Sequence, residues 1–221
     1  MNEAYGRPLG LVWDYDRAEI AVDGIVHVAG IVLGIVGAGV LIAFALHSTV
    51  TGSVSASIVY SVGLLAMLGF SAAYNLWPIS PAKWVLRRFD HSAIYLLIAA
   101  TYTPFALQLK GLLAIGLLAW VWGVAAAGIV LKLVLPGRFD RLSILFYLLL
   151  SWSGVMLYEP ISAVLSASTL WLLGAGGLLY TAGVAFHVWR SLRFQNAIWH
   201  AFVLGAAACH YTAVLDVLGT A

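Results

Sequence analysis

Seven stretches of the chain are each long enough and apolar enough to cross a bilayer, and the polar residues between them are crowded into short connections. A helix needs about 20 mostly apolar residues to span the hydrocarbon. The breaks, marked by Pro, Gly and clustered charge, leave spans at 24–46, 54–76, 89–108, 112–134, 142–162, 166–189 and 196–218. Alternation at period two is absent, so helices, which satisfy every backbone group within the segment, are the expected spanning element. Composition agrees: 63% of the 221 residues are hydrophobic and 9% are charged, with a mean hydropathy of +1.00, which excludes a soluble domain with a charged skin. The fold expected is an all-α integral membrane protein, a seven-helix bundle forming a single domain over 1–221. Residues 1–20 are read as a cytoplasmic amino-terminal segment able to lie at the interface. That segment mixes acidic and basic groups, so it is expected not to be a cleaved secretory signal, and the first span is expected to do the targeting.

The basic residues orient the bundle. Arg7 and Arg17 precede the first span, Lys83, Arg87 and Arg88 separate the second and third, Lys132, Arg138 and Arg141 surround the turn between the fourth and fifth, and Arg190 and Arg193 separate the sixth and seventh. Ten of the eleven basic residues therefore lie on one side, with Lys110 alone on the other. The positive-inside rule places the amino terminus in the cytoplasm and the carboxyl terminus outside. A multi-pass protein of a bacterial inner (plasma) membrane is expected. Cys209 is the single cysteine, so no intrachain disulfide can form. Trp13, Tyr15, Trp77, Trp84, Trp189 and Trp199 fall at span ends and read as an interfacial aromatic belt.

With this topology the intramembrane polar residues sort into one layer near the cytoplasmic face. Glu19, Asp23 and His27 recur at intervals of four on one helix face. Ser71 and Asn75 close the second span, Asp90 and His91 open the third, His187 ends the sixth, and Asn196 and His200 open the seventh. Ionisable groups at this depth are costly unless they face the bundle interior and pair with one another, so a single polar cavity is expected. Asp90 is expected to point into it, whereas His91, about 100° further round the helix, faces a neighbouring helix or the headgroup boundary. Each residue also has a plainer reading. Asp90 could cap its helix with Arg87 or Arg88 nearby, Glu19 and Asp23 could be solvated charges, Asn75 and Asn196 could be interhelical hydrogen bonds, and His210 could be packing.

The strings EIAVDGIVH (Glu19–His27), SAAYN (Ser71–Asn75), LRRFDHSAIYLLIAATYTPF (Leu86–Phe105), GGLLYTAGVAF (Gly176–Phe186) and NAIWHAFVLGAAACH (Asn196–His210) resemble the haemolysin III family. That family is the bacterial branch of the progestin and adipoQ receptor superfamily, related to ceramidase-like membrane hydrolases. The resemblance implies a zinc ion near the cytoplasmic face held by three histidines, in a Ser-x3-His pattern ending span two and a His-x3-His pattern opening span seven. The span-three Asp, here Asp90, would sit close to a zinc-bound water. On this chain the metal positions are Asn75, Asn196 and His200, so two of the three expected imidazoles are carboxamides. A carboxamide oxygen is a weak zinc donor, and without zinc no bound water has its pKa lowered to about 7.

Three functions follow as expectations. The first is a resident membrane protein of lipid homeostasis whose cavity, lined by Glu19, Asp23, His27, Ser71, Asn75, Asp90, Asn196 and His200, has a degenerate zinc site. The second is a zinc-dependent lipid amide hydrolase in which Asp90 and Ser71 are catalytic and His200, with Asp90 or His27, retains the metal. The third is a channel or cytolysin, a reading inherited from the family name. The cofactor is left open, with zinc as the family's metal. The expected partners are membrane lipids and a small polar or lipid ligand, not nucleic acid.

Overall fold

In the computed structural model, residues 14–135 and 140–219 are described, and all their regular structure is helical. Arg7, Trp13 and Arg138 lie outside the described residues. The helices are α1 (Arg17–Ala45), α2 (Ser53–Leu76), α3 (Pro81–Ala106), α4 (Gly111–Val134), α5 (Asp140–Trp152), α6 (Tyr158–Ser162), α7 (Ala167–Val188) and α8 (Gln195–Gly219). A 3-10 turn, Ser153–Leu157, joins α5 to α6.

Among the described residues, six segments are long and apolar enough to cross a membrane: α1, α2, α4, α7, α8 and the composite Leu142–Ser162. The third expected span is different. α3 is long enough, but Lys83, Arg87, Arg88, Asp90 and His91 make its first half too polar to join the six. It tolerates them because it is an interior helix, packed against α2 on one side and α4 on the other, with α5 and α8 also touching it. Around it the order continues α2, α1, α8, α7.

Two helices begin well before the apolar residues do. Asp16 accepts the Glu19 backbone N–H at 2.8 Å while the Glu19 carboxylate accepts the Asp16 N–H at 2.9 Å. This capping box starts α1 at Arg17 rather than near residue 24. Ser80 caps α3 by accepting from the Lys83 N–H at 3.4 Å, and Pro81 fills the first helical position, so α3 starts eight residues before the expected 89. Asp90 therefore sits inside a helix and is not its cap. The fifth span is broken by the 3-10 turn, and Tyr102 of α3 compensates: its hydroxyl lies 2.8 Å from the Ser151 carbonyl and accepts the Gly154 N–H at 2.8 Å. Backbone groups freed inside a membrane need such a partner.

Two apolar cores result. One joins α1, α2, α3, α7 and α8 through Leu41, Tyr60, Leu64, Met67, Leu97, Val214 and Leu218. The other joins α3, α4 and α5 through Tyr95, Ala99, Val121, Ala125 and Leu150. The helices meet closely where a side chain is missing: a Cβ on Gly63 would lie 2.6 Å from Ala100 Cβ, and one on Gly128 would lie 2.5 Å from the Tyr95 ring. The outer surface is apolar, with Ile25, Val28, Leu33, Leu112, Ile115, Trp171 and Leu178 exposed, as a bundle solvated by lipid requires. Of the expected aromatic belt, Trp77 and Trp189 are exposed, but Trp84 is buried inside the bundle.

Lys83, counted from sequence only as an orienting charge, closes the end of α2. Its side chain is wholly buried, and Nζ donates to the carbonyls of Tyr74 (2.7 Å), Asn75 (3.2 Å) and Trp77 (2.8 Å). A helix's last carbonyls have no partner within the helix, and a cation among them is doubly favourable. Lys83→Met keeps the length and removes the donors, leaving buried carbonyls unpaired. We expect a loss of about 1–3 kcal/mol, read as a lower unfolding temperature of the detergent-purified protein.

Candidate functional site

The amino-terminal turns of α1, α3 and α8 and the carboxyl-terminal turn of α2 meet at one end of the bundle, and the sequence-expected polar residues converge there. Asp23 is the hub. It is buried on α1, and its Oδ1 lies 2.6 Å from His200 Nδ1 of α8. Its Oδ2 accepts from Asn196 Nδ2 at 2.9 Å and lies 3.5 Å from His27 Nε2, one turn along α1. Asn196 Nδ2 also donates to Asn75 Oδ1 at 3.0 Å, and Asn75 Nδ2 donates to the Ser71 carbonyl at 2.9 Å. Ser71 Oγ closes the ring at 3.5 Å from His200 Nε2. Asp23 is thus no solvated charge, and the asparagines do hydrogen-bond between helices, within a network centred on a carboxylate.

Asp90 sits at the edge of this network, with Ser71, His27, Arg87 and Asp23 as its electrostatic neighbours. His91 faces away: its ring meets Tyr74 edge-on at 6.4 Å and its carbonyl accepts from Tyr147 of α5 at 2.9 Å. Glu19, expected to line the cavity, has its carboxylate occupied elsewhere. One oxygen completes the α1 capping box and the other accepts the Phe194 backbone N–H at 2.9 Å. Phe194 has φ of 59°, a left-handed conformation uncommon without glycine, immediately before α8. Glu19 therefore fixes the chain at the point where α8, bearing Asn196 and His200, begins.

Outside the span, Asp16 and Tyr15 extend the same end. The Glu19 N–H held by Asp16 keeps that carboxyl below the usual range, and burial pushes the Tyr15 phenol up, so that it stays a neutral donor to Gln195 Oε1 at 3.0 Å. Gln195 in turn donates to the His187 carbonyl at 3.0 Å, tying α7 to α8. The two outlying histidines are local. His47 bonds the Ala43 carbonyl at 2.9 Å, and His210 lies against Gly176 with Nε2 3.3 Å from the Leu173 carbonyl.

The haemolysin-III related family matches residues 18–211. The chain belongs to the haemolysin III family. It is 38% identical over 200 residues to the hemolysin-3 homolog of Bacillus subtilis, covering 90% of this chain and 93% of that protein. It is likewise 38% identical over 200 residues to hemolysin-3 of Bacillus cereus, covering 90% and 91%. The human monocyte to macrophage differentiation factor, a mammalian relative of the progestin and adipoQ receptor type, is 31% identical over 167 residues, or 72% of this chain and 69% of its own. This haemolysin III protein is a multi-pass membrane protein.

The zinc positions implied by the family do not fit the metal here. Asn75 and Asn196 are bonded to each other through Oδ1 and Nδ2, Asn196 points its amide N–H at Asp23, and only His200 of the three brings an imidazole. Among the described residues, those that cluster as metal donors are Asp23, His27 and His200, each buried and each offering one ligand atom within 4.8 Å of the others. Sequence reading placed His27 and Asp23 in the layer but did not single out this trio. The signal was present as the four-residue spacing Asp23–His27 on one helix and the His200 position on another.

Replacing Asp23 by Ala removes the acceptor shared by His200 and Asn196. Breaking a buried ionisable pair typically costs about 3–5 kcal/mol, and we expect a loss of that order. The Asp23→Ala, His200→Ala double variant should lose less than the sum of the singles by about 0.5–3 kcal/mol. Thermal unfolding of the four proteins in one detergent measures this; additive losses would mean the two side chains are not coupled.

Proposed function

We propose that this haemolysin III protein is a resident of a bacterial inner membrane, crossing it seven times with its amino terminus in the cytoplasm, and acts in membrane lipid homeostasis through the Asp23–His200 cluster. The observation that carries the reading is the cluster itself: ionisable side chains of α1 and α8, buried and paired with one another and with Asn196, inside a bundle whose outer surface is apolar. Ionisable groups within a membrane are expensive and mark functional sites by default. The species that reach such a site are lipids and small polar molecules entering from the bilayer or the cytoplasmic face.

The topology has physical support. Lys83, Arg87, Arg88, Arg190 and Arg193 lie at the same end of the bundle as the cluster. Seven crossings, rather than six, follow if interior α3 is counted. Alkaline phosphatase fused after residue 219 should be active and a fusion after Arg193 inactive; the reverse pattern would overturn the orientation.

The channel reading finds no support in the cavity at the cluster. It measures about 20 Å³ and is lined by His27, Ser71 and His200 together with Val26, Met67, Leu68, Val203 and Leu204. A space of that size holds about one water. The amide hydrolase reading requires a bound ion, which the family's own positions do not provide here.

Lipid extracts of bacteria lacking the protein, restored with the wild type or with Asp23→Ala, test the function. Mass spectrometry should show a changed lipid profile that the wild type corrects and Asp23→Ala, expressed at equal level in the membrane, does not. Identical profiles in all three strains would dismiss the role in lipid homeostasis.

A further inference from the structure

We propose that the seam between α3 and α4, at the basic end of the bundle, binds one anionic phospholipid, with Arg88 holding its phosphate and the outer face of α4 carrying an acyl chain. The site is separate from the Asp23–His200 network, whose bonded side chains come from α1, α2 and α8. It stands whatever that network does.

Arg88 carries the argument. It is half-buried on α3, and its Nη1 donates to the Leu133 carbonyl, near the end of α4, at 3.3 Å. Its Nε is buried and makes no hydrogen bond, and among the described residues the guanidinium has no carboxylate partner. Lys83, on the same helix, shows what a cation that only closes a helix end looks like: its ammonium has three donors and meets three carbonyls. Arg88 has the wider set of donors and places one of them, at a long distance. With Nη1 on Leu133, the Nε–Nη2 edge is left uncommitted. That edge is a planar fork, and phosphate oxygens are the acceptors such a fork takes two at a time. A rotation of the side chain that turns the edge toward the headgroups gives Nε the acceptor it lacks.

Charge and shape complement a lipid at the same place. The stretch that continues from the last turn of α4 carries Lys132, Arg138 and Arg141 against Asp140 alone, so this end of the seam is cationic. Basic sites between membrane helices at headgroup depth attract anionic lipids. On α4 itself, Ala126, Ala127, Val130, Leu131, Val134 and Leu135 line an open apolar groove of about 490 Å³. The short side chains of the two alanines leave room beside Val130 and Val134, which are both exposed. The groove reaches the turn whose Leu133 carbonyl meets Arg88. On α3, Val85 and Phe89 flank Arg88 and are also exposed, so the cation is set in an apolar surface on both helices. Any lipid-facing surface is covered by acyl chains; this one adds a guanidinium with open donors at its headgroup end.

The test is lipid retention by the full chain. Protein purified in detergent until free of phospholipid is titrated with dioleoyl phosphatidylglycerol or dioleoyl phosphatidylcholine in mixed micelles, and the complexes are counted by native mass spectrometry. About one phosphatidylglycerol per chain should bind about tenfold or more tightly than phosphatidylcholine, the scale of a charge-assisted hydrogen bond. Arg88→Gln should abolish that preference. Arg88→Lys should keep part of it, because an ammonium attracts phosphate without the fork. Arg193→Gln removes the same charge from an exposed residue paired with Asp16, and should bind as the wild type does. Val130→Trp fills the groove from an exposed position and leaves Arg88 in place; it should lower phosphatidylglycerol retention, which tests the site even where Arg88→Gln fails to fold. Equal retention of the two lipids by the wild type, a preference that survives in Arg88→Gln, or unchanged binding by Val130→Trp would each overturn the proposal. So would a loss in Arg193→Gln equal to that in Arg88→Gln, which would mean diffuse attraction, or displacement of the lipid by inorganic phosphate at constant ionic strength, which would mean a small-anion site.

Discussion

A carboxylate inside a membrane bundle is the constraint on which this structure turns. Left alone in hydrocarbon, Asp23 would be neutralised or the helix that carries it expelled. It is retained because α8 brings two polar side chains to it: His200 at Oδ1 and Asn196 at Oδ2. The four-residue spacing of Asn196 and His200 puts both on the same face of α8, so one docking of α8 against α1 meets both oxygens. Asn75 then joins α2 to the same contact through Asn196.

Helix ends, more than helix middles, hold that arrangement in place. Lys83 gathers the last carbonyls of α2 and so fixes the turn that carries Asn75. Glu19 closes the first turn of α1 and, through the Phe194 N–H, the approach to α8. These residues sit at helix ends, and each satisfies backbone groups that the helix itself leaves without a partner. The polar site is therefore built on rigid, capped helix termini rather than on loops, which limits how far its side chains can drift from one another.

The apolar runs made most of the fold legible, because crossing a bilayer imposes a length and a composition that few other structures share. What those runs concealed was everything decided by capping. Asp16-x-x-Glu19 and Ser80-Pro81 announce helix starts in the sequence, yet a reading based on hydrophobicity begins α1 and α3 several residues late. α3 also shows why hydropathy alone miscounts: a helix surrounded by other helices need not be apolar. At the site, the layer of polar residues was legible from spacing and topology together, and Asp23, His27, Ser71, Asn75, Asn196 and His200 do meet. Glu19 was assigned to the layer because it shares a helix face with Asp23, but a carboxylate in the first turn has nearer partners in the unpaired backbone N–H groups. Lys83 was invisible as a cap because its acceptors are backbone carbonyls, which no side-chain pattern reveals.

Asn75 and Asn196 take a different meaning once Asp23 is seen beside them, bonded to Asn196. Three imidazoles at positions 75, 196 and 200 would present lone pairs to a cation and would give the Asp23 carboxylate no amide N–H. Two carboxamides instead supply both donor and acceptor, so they can bond each other and still hold Asp23 Oδ2. The amides at 75 and 196 and the carboxylate at 23 therefore work as one set, with Asn196 Nδ2 donating both to Asp23 Oδ2 and to Asn75 Oδ1. With the amides supporting Asp23 from one side, the imidazoles of His27 and His200 face the small cavity on the other.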